Sequence, residues 1–292
     1  MVPGIGSPPP TLPTVVPTDG QTAVDIHSEL GSPADAMTYL FVVPSAYSVG
    51  GPAPVQDTTA GGWFESVAVD ATGMHIDSLG IWIVPGNIFG MGGRGGDGRY
   101  STLDATFGGA GGGGGAGYPA GPAGNGASSI WGSAQGSDGT AGDDTTGSAP
   151  FSGGAAGGDD VVNSHPGHLL IEMIFEALIT DYKEAQSGGT AIATNHDLEI
   201  YNAGGQIWGG GGGGSGGDSY PHDDYNFGSR ESGAGGDPGD VGVSGATQGG
   251  DPAIFGTFSA PGAAGHYLRV ESSATVNFHA GTADPLTKGT LA

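Results

Sequence analysis

The chain has no cysteine among its 292 residues, so neither disulfides nor thiolate chemistry contribute to it. Cations are scarce: 6 Lys+Arg stand against 30 Asp+Glu, a formal net charge of -24. Nucleic acid is a poor partner for such a chain, because phosphate binding rests on clustered cations. An anionic membrane surface is disfavoured for the same reason. No run of about 18 apolar residues occurs, so no helix is expected to span a bilayer. The opening Met1-Val2-Pro3-Gly4-Ile5-Gly6 has no basic region and no continuous apolar stretch, which predicts no secretory signal. Acidity on this scale keeps a particle soluble and non-sticky. Synthesis in a host cytoplasm followed by release on a virus particle suits this combination.

What the chain has instead is glycine, 64 residues, about three times the ordinary share of roughly 7%. Glycine gives up the most conformational freedom on folding, so order must come from many backbone hydrogen bonds. The spacing argues for order. Gly109, Gly112, Gly115, Gly121 and Gly124 keep a period of three, broken only at Tyr118. Gly136, Gly139 and Gly142 keep it again, as do Gly233, Gly236, Gly239, Gly242 and Gly245. Three residues per turn is neither the helical nor the strand period. It is the repeat of the extended left-handed helix, with about 3.1 Å rise and no internal hydrogen bonds. A glycine face on such a rod lets another backbone approach closely.

The expected fold is mainly β and irregular: a small N-terminal β-rich module, then a body of packed polyglycine II helices. Residues 1–20 read as a Pro-rich extended arm and 21–84 as the β-rich attachment module. Strand-like runs there are Met37–Val43, Trp63–Val69, Met74–Asp77 and Ile81–Val84. Residues 85–165 form a first glycine-rich region and 191–292 a second with C-terminal strands. Between them, at 166–190, Leu169, Leu170, Met173, Ile174, Ala177, Leu178 and Tyr182 follow helical spacing. That predicts one amphipathic helix over 168–186, starting near Ser164 and Pro166 and stopping at Gly188-Gly189. Residues 267–271 and 275–278 read as a closing hairpin.

An internal repeat crosses this layout. Asn87-Ile88-Phe89 followed by glycines and Tyr100 parallels Gln206-Ile207-Trp208 followed by glycines and Tyr220. The offset is 119 at Ile88/Ile207 and 120 at Tyr100/Tyr220. A rod surrounded on every side needs glycine on all three faces, which 209–217 has; Gly209, Gly211 and Gly213 are its structural positions. Rods at 109–124 and 233–245, the latter built on Gly236, Gly239 and Gly242, carry side chains and belong at the edge. Collagen requires an unbroken triplet register, which these short runs lack.

Leu198-Glu199-Ile200-Tyr201-Asn202-Ala203-Gly204-Gly205-Gln206-Ile207-Trp208 leading into polyglycine resembles the strand-then-polyglycine pattern of bacteriophage tail-fibre tips. It is similar to the glycine-rich adhesins of T-even-like phages, most clearly over 195–250 and again over 81–126. The resemblance implies an adhesin on the virion surface that binds host polysaccharide or an outer-membrane protein through loops joining the rods. Those loops would be 97–107, 127–152 and 218–232. The β module and the helix depart from the family pattern, which leaves a head fibre or a gene-transfer-agent spike as other positions on the particle.

The loop Asp218–Phe227 holds Tyr220, His222, Asp223, Asp224, Tyr225 and Phe227, aromatics interleaved with hydrogen-bonding groups that suit a sugar. The plainer role is a cap over the rod ends. Tyr100 and Trp131 are the matching candidates in the other loops. Gly213–Pro221 fits one calcium β-roll nonapeptide, but such rolls need tandem copies and no second follows. No cofactor is expected; isolated calcium stays open at Asp223 and Asp224 without a full loop pattern. Gly213-x-Ser215-x-Gly217 matches a nucleophile elbow by chance inside polyglycine, with no strand-to-helix turn around it. His165 and His168 have no partner ligand at helical spacing, and no catalytic site is expected. Residues 1–84 are the expected contact with other fibre, tail or capsid proteins, in a multicopy assembly. The alternatives are a purely structural connector and, third, a secreted calcium-binding β-roll.

Overall fold

The computed structural model describes residues 11–53, 66–98, 107–108, 111–126, 138–144, 151–157, 161–162, 185–216, 218–220, 228–230, 232–242, 247–248, 260–271, 273–279, 287–288 and 290–291. Two substructures share the chain: a parallel β stack and a bundle of glycine segments.

The stack has three parallel sheets around one core. The first contains Val24–Asp25, Val67–Ala71, Thr190–Thr194, His266–Val270 and Thr290–Leu291. The second contains Thr14–Val15, Thr38–Val42, Leu79–Ile83, Asp197–Tyr201 and Val276–His279. The third contains Ser48–Gly50, Asn87–Phe89, Ile207–Trp208 and Thr287–Lys288. Read in chain order, the strands visit the first, second and third sheets in turn, and do so four times over. Each circuit lies on the previous one in parallel register, as Leu79–Ile83 does between Thr38–Val42 and Asp197–Tyr201.

Register fixes the core as columns. Val24, Val69, Ile192 and Leu268 align in the first sheet, and Phe41, Trp82, Ile200 and Phe278 in the second. Val49, Ile88 and Ile207 align in the third. All but Phe278 are buried, and all pack into one cluster. Each buried large apolar side chain contributes roughly 1.5–3 kcal/mol, so the columns hold the circuits together. Gly80 makes room inside: a Cβ there would crowd Leu198, the Tyr39 hydroxyl and Trp82 Nε1. In that space Trp82 Nε1 donates to the Tyr39 hydroxyl at 3.1 Å, which lies 3.0 Å from His196 Nε2.

Long insertions leave the stack at one corner, after Phe89 and after Trp208, where the third sheet passes back to the first. They build the glycine bundle. Its backbone hydrogen bonds recur every third residue. Gly90, Gly93 and Gly96 donate to Trp208, Gly211 and Gly214; Gly112 and Gly115 donate to Gly96 and Gly93. Segment 209–216 donates to 186–189, 111–118 and Asp240, and accepts from 90–98, 232–236 and 262–265. Segment 111–118 donates to 90–98, 232–236 and 138–144, and accepts from 119–126, 151–157 and 209–216. Two central segments, each with six neighbours and eight perimeter segments between them, make a hexagonal array among the described residues. Its central glycines leave no room for a Cβ: one built on Gly211, Gly213 or Gly214 would overlap the carbonyl oxygen of Gly236, Arg94 or Gly233. Perimeter segments turn glycine inward and side chains outward, as in the buried Gly121 and Gly124 beside the exposed Pro122 and Asn125.

Several expectations change. The strands of 21–84 belong to the first two circuits of the stack, which Asn87–Phe89 completes and 190–208 and 266–279 continue, rather than to a module of their own. Tyr267–Glu271 and Thr275–Phe278 form no hairpin; each pairs in parallel with the circuit before it. Met74–Asp77 is a turn, closed by Ser78 N donating to His75 O at 2.9 Å. Segment 111–118 is central, because Gly111 to Gly115 give it three bare faces; the break at Tyr118 is where the chain reverses into perimeter segment 119–126. Gly239 is a turn glycine at φ 76, so 233–245 is not one rod. The helix predicted over 168–186 falls almost wholly outside the described residues, and Ile26–Glu29 is the one helix among them.

Candidate functional site

Alternate glycine segments run away from the stack and back to it. Segment 90–98 starts at strand Asn87–Phe89, and 209–216 starts at Ile207–Trp208. Segments 185–189 and 260–265 return to strands Thr190–Thr194 and His266–Val270. The far end of the bundle therefore collects Asp97, Asn125, Gly157, Gln186, Ser215 and Ser232. Their contacts confirm the grouping: Gly98 N donates to Asn125 O at 2.8 Å, and Gly233 N to Ser215 O at 2.8 Å. Ser232 Oγ donates to Gly157 O at 3.2 Å.

Five connections leave and re-enter the bundle at this end, spanning 98–111, 126–138, 157–186, 216–232 and 242–262. Tyr100 lies in the first and Trp131 in the second. Tyr220, His222, Asp223, Asp224, Tyr225 and Phe227 lie in the fourth. Tyr220 ends strand Asp218–Tyr220, which pairs antiparallel with Gly228–Arg230; the other seven lie outside the described residues. Gly228–Arg230 pairs on with Thr247–Gln248, and Phe107–Gly108 pairs with Val161–Val162. These antiparallel pairs contrast with the parallel sheets of the stack. The predicted loop 127–152 is not one loop: 138–144 and 151–154 are bundle segments, with Gly154 N donating to Gly114 O at 2.7 Å.

One side chain at this end was not singled out in the sequence. Arg94 is 7% exposed within the glycine run, and its guanidinium pairs with Asp97. Its Nη1 also donates to Gly95 O at 2.8 Å. Asp97 Oδ1 accepts from Asn125 N at 2.9 Å. Gln186 Oε1 accepts from Arg94 N at 3.3 Å, and Gln186 N donates to Arg94 O at 2.8 Å. The signal was a single long side chain interrupting Gly92-Gly93-Arg94-Gly95-Gly96.

The opposite end is aromatic. Phe89, Trp208 and Phe151 meet with ring centroids 5.4 to 6.5 Å apart, sealing bundle to stack. Tyr118 packs where a Cβ on Gly50 would stand, and Gly51 N donates to Tyr118 O at 2.9 Å. Burial, then the charges of Asp144 and Asp19, raise the Tyr118 phenol above its ordinary value.

A second surface lies on the outer side of the second sheet. Leu40 beside Ile81, and Val42 beside Ile83, form two partly exposed apolar rows. Tyr201, 43% exposed, extends the second row and stacks on His279 at 4.5 Å. The first row ends in Glu199, which bonds to His279 and accepts from Asn277 Nδ2 at 2.9 Å. Those two hydrogen bonds hold the Glu199 carboxyl below its usual range. Among the described residues no group of three or more His, Cys, Asp or Glu is arranged to hold a metal ion.

Residues 176–286 match the family model of the phage tail fibre adhesin Gp38. That span takes in the third circuit of the stack, the first two strands of the fourth, and the glycine insertion between them. The chain is also similar to the crystal structure of the gp37-gp38 adhesin tip complex of the bacteriophage S16 long tail fibre. That likeness has 11% identity and a TM-score of 0.37, covering 96% of this chain and 82% of the other. No curated protein matches the chain.

Proposed function

Since residues 176–286 carry a phage tail fibre adhesin domain, we propose that the whole chain is a virion-borne adhesin that attaches the particle to its host. One observation carries the reading: the three connections whose sequence contains the eight candidate contact residues are rooted at a single end of a bundle locked by inter-segment hydrogen bonds. The three-residue period of those bonds supports reading the ten segments as polyglycine II helices. Such a scaffold holds the connections ready, so receptor binding costs little ordering entropy. Copies on one particle add avidity.

The receptor is a host surface polysaccharide or an outer-membrane protein. Aromatic faces at Tyr100, Trp131, Tyr220, Tyr225 and Phe227 would stack on sugar rings, while His222, Asp223 and Asp224 take hydroxyls. The reading is of binding, not catalysis. The match to a tail fibre family favours a tail-fibre position over a head fibre or a gene-transfer-agent spike. The S16 structure holds gp38 with gp37, and attachment to another fibre protein is the matching role here. The apolar rows Leu40/Ile81 and Val42/Ile83, within residues 1–84, suit that contact because they carry no charge.

Binding of the purified protein to host cells and to their extracted polysaccharide tests the reading. Exchange of 218–232 for the corresponding loop of a phage with another host should redirect binding. A protein that binds neither cells nor polysaccharide, and whose loop exchange leaves host range unchanged, is the structural connector instead.

A further inference from the structure

One ion pair joins the roots of two connections at the far end, and two more roots meet the backbone of the same two residues. Asp97 stands where the chain enters 98–111, and its Oδ1 receives Asn125 N, at the entry to 126–138. The Arg94 backbone is bonded in both directions to Gln186, where 157–186 re-enters, its N donating to Gln186 Oε1 and its O accepting from Gln186 N. Asp97 O abuts Gly216, at the entry to 216–232, so closely that no Cβ would fit there. Four of the five connections thus meet at Arg94 and Asp97. The pair is nearly buried, with side chains 8% and 13% exposed. A buried charge left without its partner is strongly unfavourable, so Arg94 holds Asp97 in one place. The guanidinium presents donors in a fixed fork, which sets geometry in a way a flexible ammonium cannot.

We propose that the Arg94–Asp97 ion pair is a clamp that fixes the roots of 98–111 and 126–138 relative to each other, making Arg94 a positioning residue for receptor binding. The adhesin reading supplies the binding half of this statement. The clamp half stands on the geometry alone. It also gives the one long side chain in the glycine run a purpose: a methyl group would already overlap a neighbour at Gly93 or Gly95, whereas the Arg94 side chain lies in a place made for it.

The test is amide hydrogen exchange together with host-cell binding on the full chain. Arg94→Met keeps length and loses the forked donors; Arg94→Lys keeps charge and loses the fork. Both should speed exchange at Asn125 and Gly98 by at least about tenfold while Gly210–Gly214 stay protected. Asp97→Asn, which keeps the acceptor oxygen for Asn125 N, should retain more of that protection than Asp97→Ala. Host-cell binding should weaken by about tenfold or more in Arg94→Met, mainly through faster dissociation. Unchanged exchange at Asn125 and Gly98 in a folded Arg94→Met or Arg94→Lys protein overturns the clamp. Faster exchange with undiminished binding overturns the positioning role. Absence of binding by the unaltered protein overturns the adhesin reading instead, while the exchange result still decides the clamp.

Discussion

Ile88 and Ile207 lie side by side in register on adjacent parallel strands, although 89–206 intervenes between them. Both are fully buried, in one column with Val49. The sequence repeat that pairs them is therefore a spatial repeat: each residue begins a glycine insertion from the same position of successive circuits. Trp208, next in the chain, lies beside Phe89 in the same way.

Truncating this column should loosen the stack where the insertions depart. Ile207→Ala is expected to cost about 2–5 kcal/mol, through lost burial and the cavity left behind. Ile88→Ala should cost a similar amount. Urea unfolding followed by circular dichroism measures both; a loss under about 1 kcal/mol would mean the column does not support the stack.

The bundle makes a sharper demand. At Gly213 an added methyl group would overlap the Arg94 carbonyl oxygen, with backbone on every side and nothing able to yield. Gly213→Ala should destabilise the protein by at least about 3 kcal/mol or prevent folding. Gly31 supplies the contrast. It sits at φ 79 in open space, so Gly31→Ala should cost only the left-handed penalty of about 1–2 kcal/mol. Equal melting temperatures for the two variants would refute the packing argument.

His196 ties stability to pH. It is fully buried, and burial lowers its pKa from 6.5 to about 4, so the folded protein holds it neutral. The unfolded chain takes up this proton near pH 6.5. Between those values the unfolded state binds more protons, so stability falls as pH drops from about 6.5 towards 4 and is complete above that window. The loss should reach roughly 3 kcal/mol. Comparing urea midpoints across this range for the native chain and His196→Gln isolates the effect. Parallel pH curves for the two would remove His196 as the cause.

Calcium should be dispensable. The order of the bundle comes from amide-to-carbonyl bonds such as Gly210 N to Gly189 O at 2.9 Å, none of which needs an ion. Adding a chelator should leave the thermal transition where it is. A large downward shift would restore the calcium-binding alternative.

Parts of this architecture were open to reading from the sequence. β-Branched and aromatic runs such as Met37–Val43 and Ile81–Val84 identify strands, and alternate residues of Thr38–Val42 and Leu79–Ile83 face the core. Such a run names no partner, however. Tyr267–Glu271 and Thr275–Phe278 therefore read as a local hairpin, whereas each pairs with a circuit far upstream. The three-sheet stack was hidden because its circuits are separated by unequal insertions, which blur any fixed period. The period of three was plain, and so were its interruptions, but their meaning was not. Tyr118 marks a reversal and Gly239 a turn, events set by how many neighbours a segment must meet. Arg94 escaped notice because a single charge carries no periodicity; only the meeting of Asp97, Asn125 and Gln186 around it gives it significance.

The corner where both insertions begin and end imposes an arithmetic on how the molecule can diversify. A chain that departs from the third sheet must come home to the first, so each excursion needs an outbound thread for every inbound one. The first excursion has six threads and the second four. Natural enlargement or trimming should thus proceed by pairs of threads, each pair bringing one new tip, while the lattice of the remainder stays intact.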